Sequence, residues 1–160
     1  MNAPEMIVLP DTQSLPDARA LPIQKVGIKS LRYPIALRTA SGSVQHTVAE
    51  FTMSVGLPHD VKGTHMSRFV EVLEGFGAPL DLAGLRKLGR AMLTRLSAAS
   101  GNLEITFPYF IRKHAPVSGV ASLLDYQAGL GIRMDADGRT QVTVTLTAPV
   151  TSLCPCSKKI

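Results

Sequence analysis

The chain has no tryptophan, 5% aromatic residues and no run of five or more basic side chains. Without aromatic platforms a base-stacking surface for single-stranded nucleic acid is disfavoured. The net charge of +5 is dispersed, so it outlines no nucleic-acid groove, although it would suit a polyanionic small molecule. No stretch approaches the ~20 apolar residues of a membrane span. The N-terminal residues carry Glu5, Asp11 and Asp17 among prolines, not the positive-then-apolar order of a signal peptide. Cysteine is scarce too: Cys154 and Cys156 are the only two, and a C-x-C spacing strains a mutual disulfide. Reduced thiols and a cytoplasmic location are therefore expected, with neither nucleic acid nor membrane as partner.

What is present describes a globular chain. An apolar fraction of 45% with 18% charged residues over 160 positions suffices for one core-forming domain. Residues 1–22 are proline-rich and aperiodic, which predicts a flexible arm lying across a neighbouring subunit; residues 23–160 form the domain. Val26, Ile28, Leu31, Ile35 and Leu37 predict a strand that Pro34 marks as bulged or at a sheet edge. Alternation from Val44 to Val55, apolar on one face from Ala49 onward, predicts a second strand. Apolar spacing of three and four predicts helices over about 67–75 and 81–99, the second ended by Gly101. Strands follow at about 102–113, 119–134 and 140–146, the last two joined through the hairpin turn Asp135-Ala136-Asp137-Gly138.

Two short segments have chemistry to offer. Ser152-Leu153-Cys154-Pro155-Cys156-Ser157-Lys158 places two thiols beside a lysine that favours the thiolate, the form that attacks electrophiles and binds Zn²⁺. The plainer alternative is a pair of small buried residues near a chain end. Lys62-Gly63-Thr64-His65-Met66-Ser67-Arg68 opens the first helix, where backbone N–H groups and the helix dipole favour an anion. Its plainer alternative is an ordinary helix start, capped by Ser67 or Thr64, with solvated charges. His46, His59 and His114 are isolated, and Glu50 and Glu104 sit within strands, where an outward-facing position is the default.

KGTHMSRF at 62–69 and SLCPCSK at 152–158, separated by a two-helix segment, together resemble the type IB GTP cyclohydrolase I family. The likeness runs from about Pro22 to the last residue and takes in the PDTQS-like start of the arm. It implies an α+β tunnelling fold: an antiparallel sheet with a helix pair on one face, assembling through sheets into homo-oligomers with interfacial active sites. It further implies conversion of GTP to 7,8-dihydroneopterin 3′-triphosphate and formate, the first step of pterin and folate synthesis, with a divalent cofactor, Zn²⁺, Mn²⁺ or Fe²⁺. By the same resemblance Cys154 is the catalytic, metal-binding thiol and Cys156 a second thiol beside it. Lys62, His65, Ser67 and Arg68 would bind the triphosphate. Family members continue beyond this length with a histidine and glutamates that complete the metal site and anchor guanine. The expectation is thus a complete first module and a truncated second one, with a catalytically incomplete fragment that oligomerises or binds nucleotide as the alternative to an active enzyme.

Overall fold

A computed structural model describes Pro16 and residues 21–150. Strands β1 (Ile23–Arg38) and β2 (Val44–Leu57) form a long hairpin, helices α1 (Ser67–Glu74) and α2 (Leu82–Leu96) follow, and β3 (Gly101–His114), β4 (Ala121–Met134) and β5 (Thr140–Thr147) complete the order. All five strands pair antiparallel in the order β1-β2-β3-β4-β5. This is the α+β arrangement expected of a tunnelling-fold module. No described helix is long and apolar enough to cross a membrane.

Period-two alternation decides which face of the sheet is covered. Ala49, Phe51, Met53 and Val55 of β2, with Leu103, Ile105 and Phe107 of β3, are buried on the helix side. They meet Phe69, Val72 and Leu73 of α1 and Leu85, Leu88, Met92 and Leu96 of α2 in one continuous core. Each such side chain contributes on the order of 1.5–3 kcal/mol by leaving water. On the opposite face Glu50 and Glu104 lie exposed, together with Val44 and Val48 of β2.

Local chemistry sets the element ends, in places differently from the pattern. Asp81 stands before α2 rather than inside it, and its carboxylate accepts a 2.7 Å bond from the Gly84 N–H. The helix stops at Ser97, whose left-handed backbone turns its N–H back to Leu93 and Thr94. Gly101 therefore does not end α2. It opens β3, where a β-carbon would come within 2.8–2.9 Å of Met92 and Leu93. Pro34 pairs opposite Val48 on the outermost strand, and the irregularities of β1 fall earlier, between Ile23 and Val26 and between Ile28 and Leu31. Asp135 to Gly138 make the anticipated turn, with Gly138 at φ +85°.

The β2–β3 ladder stops at Glu50 opposite Thr106, although β3 continues to His114. Past that point the Gln45 side chain takes over. Its amide nitrogen donates to the Phe110 carbonyl at 2.9 Å, and its oxygen accepts the Phe110 N–H at 3.0 Å. Thr47 adds a bond to the Pro108 carbonyl at 3.1 Å. The distal ends of β3 and β4 thus project as a two-stranded ribbon held to β2 by side chains.

Of the N-terminal arm, Pro16 lies opposite Val61 of the same chain in an isolated antiparallel bridge, and Leu21 and Pro22 are exposed. The rest of the arm lies outside the described residues.

Candidate functional site

The loop from Pro58 to Met66 leads from β2 into α1 and forms one wall of a cleft of about 240 Å³. A tight turn starts it, with the Val61 N–H on the Pro58 carbonyl at 3.3 Å. The other wall comes from the end of β2 and from Ser97 and Ala98 after α2. Thr64, His65 and Arg68 face the cleft together; Thr64 is the one buried polar residue among the described residues. Lys62 and Ser67 are exposed and line none of it. Of the four residues expected to contact a triphosphate, the fold therefore gathers His65 and Arg68 and leaves the other two outside the cleft.

The helix start also differs from expectation. Met66 occupies the cap position with helical backbone angles and makes no side-chain cap, so neither Ser67 nor Thr64 caps α1. Instead the Arg68 and Phe69 amides bond back to the His65 and Met66 carbonyls, both at 3.2 Å. These short-range bonds use two of the donors that an uncapped first turn would offer. An anion placed in this cleft would meet the Arg68 and His65 side chains rather than a set of free backbone amides. The opposite wall works against an anion, because a helix C-terminus carries partial negative charge. That effect is blunted by the Ser97 and Ala98 N–H groups, which cover the Thr94 and Leu93 carbonyls.

Two contacts hold α1 and α2 in place. Glu71 and Arg95 form an ion pair between the helices, both about half exposed. Arg38 of β1 reaches the capping carboxylate of Asp81 at 3.5 Å. The motif gave no sign of either, nor of the contribution from Ser97 and Ala98, because partners this distant in sequence are brought together only by packing.

A second hollow of about 260 Å³ lies elsewhere, lined in part by Tyr33, Phe51 and Phe76, and shares no residue with the cleft. The Glu74 carboxylate, acting first as hydrogen-bond acceptor, raises the Tyr33 phenol above its ordinary value. The lining of the hollow suits an irregularity in core packing rather than a highly charged ligand.

Cys154 and Cys156 lie outside the described residues. Among the described residues, no three His, Cys, Asp or Glu side chains converge where they could hold a metal ion.

Comparison with known proteins matches residues 9–160 to the family described as type I GTP cyclohydrolase folE2. GTP cyclohydrolase FolE2 1 of Dechloromonas aromatica (strain RCB) is 59% identical over all 160 residues, which span 60% of that relative. GTP cyclohydrolase FolE2 of Azoarcus sp. (strain BH72) is 50% identical over the same 160 residues, again 60% of its length. GTP cyclohydrolase FolE2 2 of Cupriavidus metallidurans is 57% identical over 153 residues, 57% of its length. The chain thus spans about three-fifths of the length of these relatives.

Proposed function

Because the chain belongs to the type I GTP cyclohydrolase folE2 family, we propose that it serves the opening of GTP to 7,8-dihydroneopterin 3′-triphosphate and formate, with the cleft at α1 as the triphosphate subsite. The observation that supports this reading is the pairing of His65 and Arg68 in one cleft beside buried Thr64. A guanidinium presents a fork of N–H donors matched to phosphate oxygens, and an imidazole N–H adds a further donor. Lys62 and Ser67, exposed at the rim, would meet only the outer phosphate or solvent.

Water adds at C8 of the purine and opens the imidazole ring. A second hydrolytic cleavage frees formate, and the rearranged ribose carbons close the pterin ring with loss of water. Holding the triphosphate far from C8 converts remote binding energy into orientation of the ring that reacts. The described residues do not form a metal site on their own, so Cys154 would be one thiolate donor in a set completed by other groups. Bound there, Zn²⁺, Mn²⁺ or Fe²⁺ would lower the pKa of a water molecule and stabilise developing oxyanion charge. Cys156 is assigned a lesser, supporting role beside it. Active sites at interfaces of a cytoplasmic homo-oligomer fit the same reading.

Formate release from GTP, with Mn²⁺ or Zn²⁺ supplied, tests the proposal. Arg68→Ala should raise KM for GTP by about 10- to 100-fold, the range for a lost charge-assisted bond. Cys154→Ser should abolish turnover and reduce metal occupancy; unchanged values for both would overturn the thiolate assignment. The alternative reading is nucleotide binding at the same cleft without turnover. Saturable GTP binding by the folded, metal-supplied protein without formate would select it.

A further inference from the structure

The cleft at α1 carries one polar side chain on its far wall, outside the motif. Thr64, His65 and Arg68 come from the loop and the start of α1, whereas the end of α2 presents Leu96, Ser97 and Ala98. Ser97 also borders a larger hollow of about 690 Å³ that adjoins the cleft along the end of β2.

The Ser97 backbone lies in the left-handed region, φ 51° and ψ 40°, where a β-carbon crowds the carbonyl and glycine is the favoured residue. Ser30, the other non-glycine residue with positive φ among the described residues, falls in an irregularity of β1 and lines neither cavity. A serine can offset such a cost by bonding its hydroxyl to nearby backbone. Here the hydroxyl bonds to no described residue. The turn is made by backbone alone, the Ser97 N–H on the Thr94 carbonyl at 3.2 Å and the Ala98 N–H on the Leu93 carbonyl at 3.0 Å. Glycine would close the helix in the same way with less strain, so the side chain has no part in the turn it occupies.

We infer that Ser97 is a further substrate-binding residue, its hydroxyl donating to a phosphate oxygen that Arg68 holds from the opposite wall. This rests on the reading of the cleft as a triphosphate subsite and supplies its second side. Electrostatics gives the hydroxyl its use. The end of α2 carries partial negative charge, the side chains of Leu96 and Ala98 have no donor, and Arg95 of the last turn is paired with Glu71. An O–H at Ser97 puts a donor where an anion would otherwise meet methyl groups and carbonyl oxygens.

Calorimetric titration of the full chain with inorganic tripolyphosphate, with urea unfolding as the control, tests the inference. Ser97→Gly should weaken Kd by about 10-fold, the size of one hydrogen bond to a charged group, while the urea midpoint stays or rises. Ser97→Ala should weaken binding equally. A glycine variant that binds as the wild type does would overturn the inference, and so would weakening confined to glycine, which would trace to backbone freedom. Arg68→Ala separates this inference from the reading beneath it. Weaker binding in Arg68→Ala with wild-type affinity in both Ser97 variants would remove Ser97 and leave the cleft standing. Unchanged binding in Arg68→Ala, or no binding by the wild type, would overturn both.

Discussion

The outer strands of the sheet are built for different surroundings. β1 carries Lys25, Lys29, Arg32 and Arg38, a proline that cannot donate to a ladder, and two register irregularities. Part of its free edge is also occupied: the Leu80 N–H bonds to the Ala36 carbonyl at 2.7 Å, and the Arg38 N–H to the Leu80 carbonyl at 3.0 Å. β5 reads Thr-Gln-Val-Thr-Val-Thr-Leu-Thr, with no charge, proline or glycine. Charges, prolines, bulges and covering loops are the devices that keep an edge from pairing with another chain. β1 has them all, and among the described residues β5 has none, so the two edges of the sheet differ in composition as well as in exposure.

The largest test of this asymmetry contrasts a covered residue with an uncovered one. Leu88→Ala removes a side chain that is 1% exposed in the centre of the core, and should cost about 2–5 kcal/mol in urea unfolding. Leu146→Ala, at 61% exposure, should cost the isolated chain less than ~1 kcal/mol. Similar losses at the two positions would mean that β5 is already buried in the species measured. A smaller effect concerns the occupied edge of β1. Asp81→Ala removes the cap of α2 and the partner of Arg38 together, and should lower stability by about 0.5–2 kcal/mol. Retained stability would show that Leu80 stays on β1 without help from its neighbour. The smallest effect is one of pH. Because Tyr33 has a raised pKa in the fold, the unfolded chain releases its phenolic proton first as alkalinity increases. Stability from this group is present below about pH 10 and is lost as pH rises through the folded value. Tyr33→Phe should flatten that decline in alkaline urea titrations, and an unaltered slope would assign the decline to other groups.

Element order and the buried face of β2 were legible in the sequence because both are written in periodicity. Ala49, Phe51, Met53 and Val55 alternate, and the leucines of α2 recur every three or four positions. The helix ends were less legible. Ser97 adopts a left-handed backbone that glycine would accept more readily, so Gly101 drew the prediction while a serine closed the helix. The motif put Lys62, His65, Ser67 and Arg68 forward alike, and which of them share one cleft was not legible, because that depends on the turn at Pro58 and on short bonds within the first helical turn. The thiols, legible as chemistry, lie outside the described residues.

Gln45 stands in for a rung of backbone, since one amide satisfies both polar groups of a residue 65 positions away. Where the sheet divides into a broad half and a narrow finger, the link to β2 is therefore carried by two side chains, Gln45 and Thr47. An ordinary ladder is indifferent to side chains. Here the join depends on which side chains stand at two positions, so the finger's attachment to β2 is specified by sequence and not by backbone geometry alone.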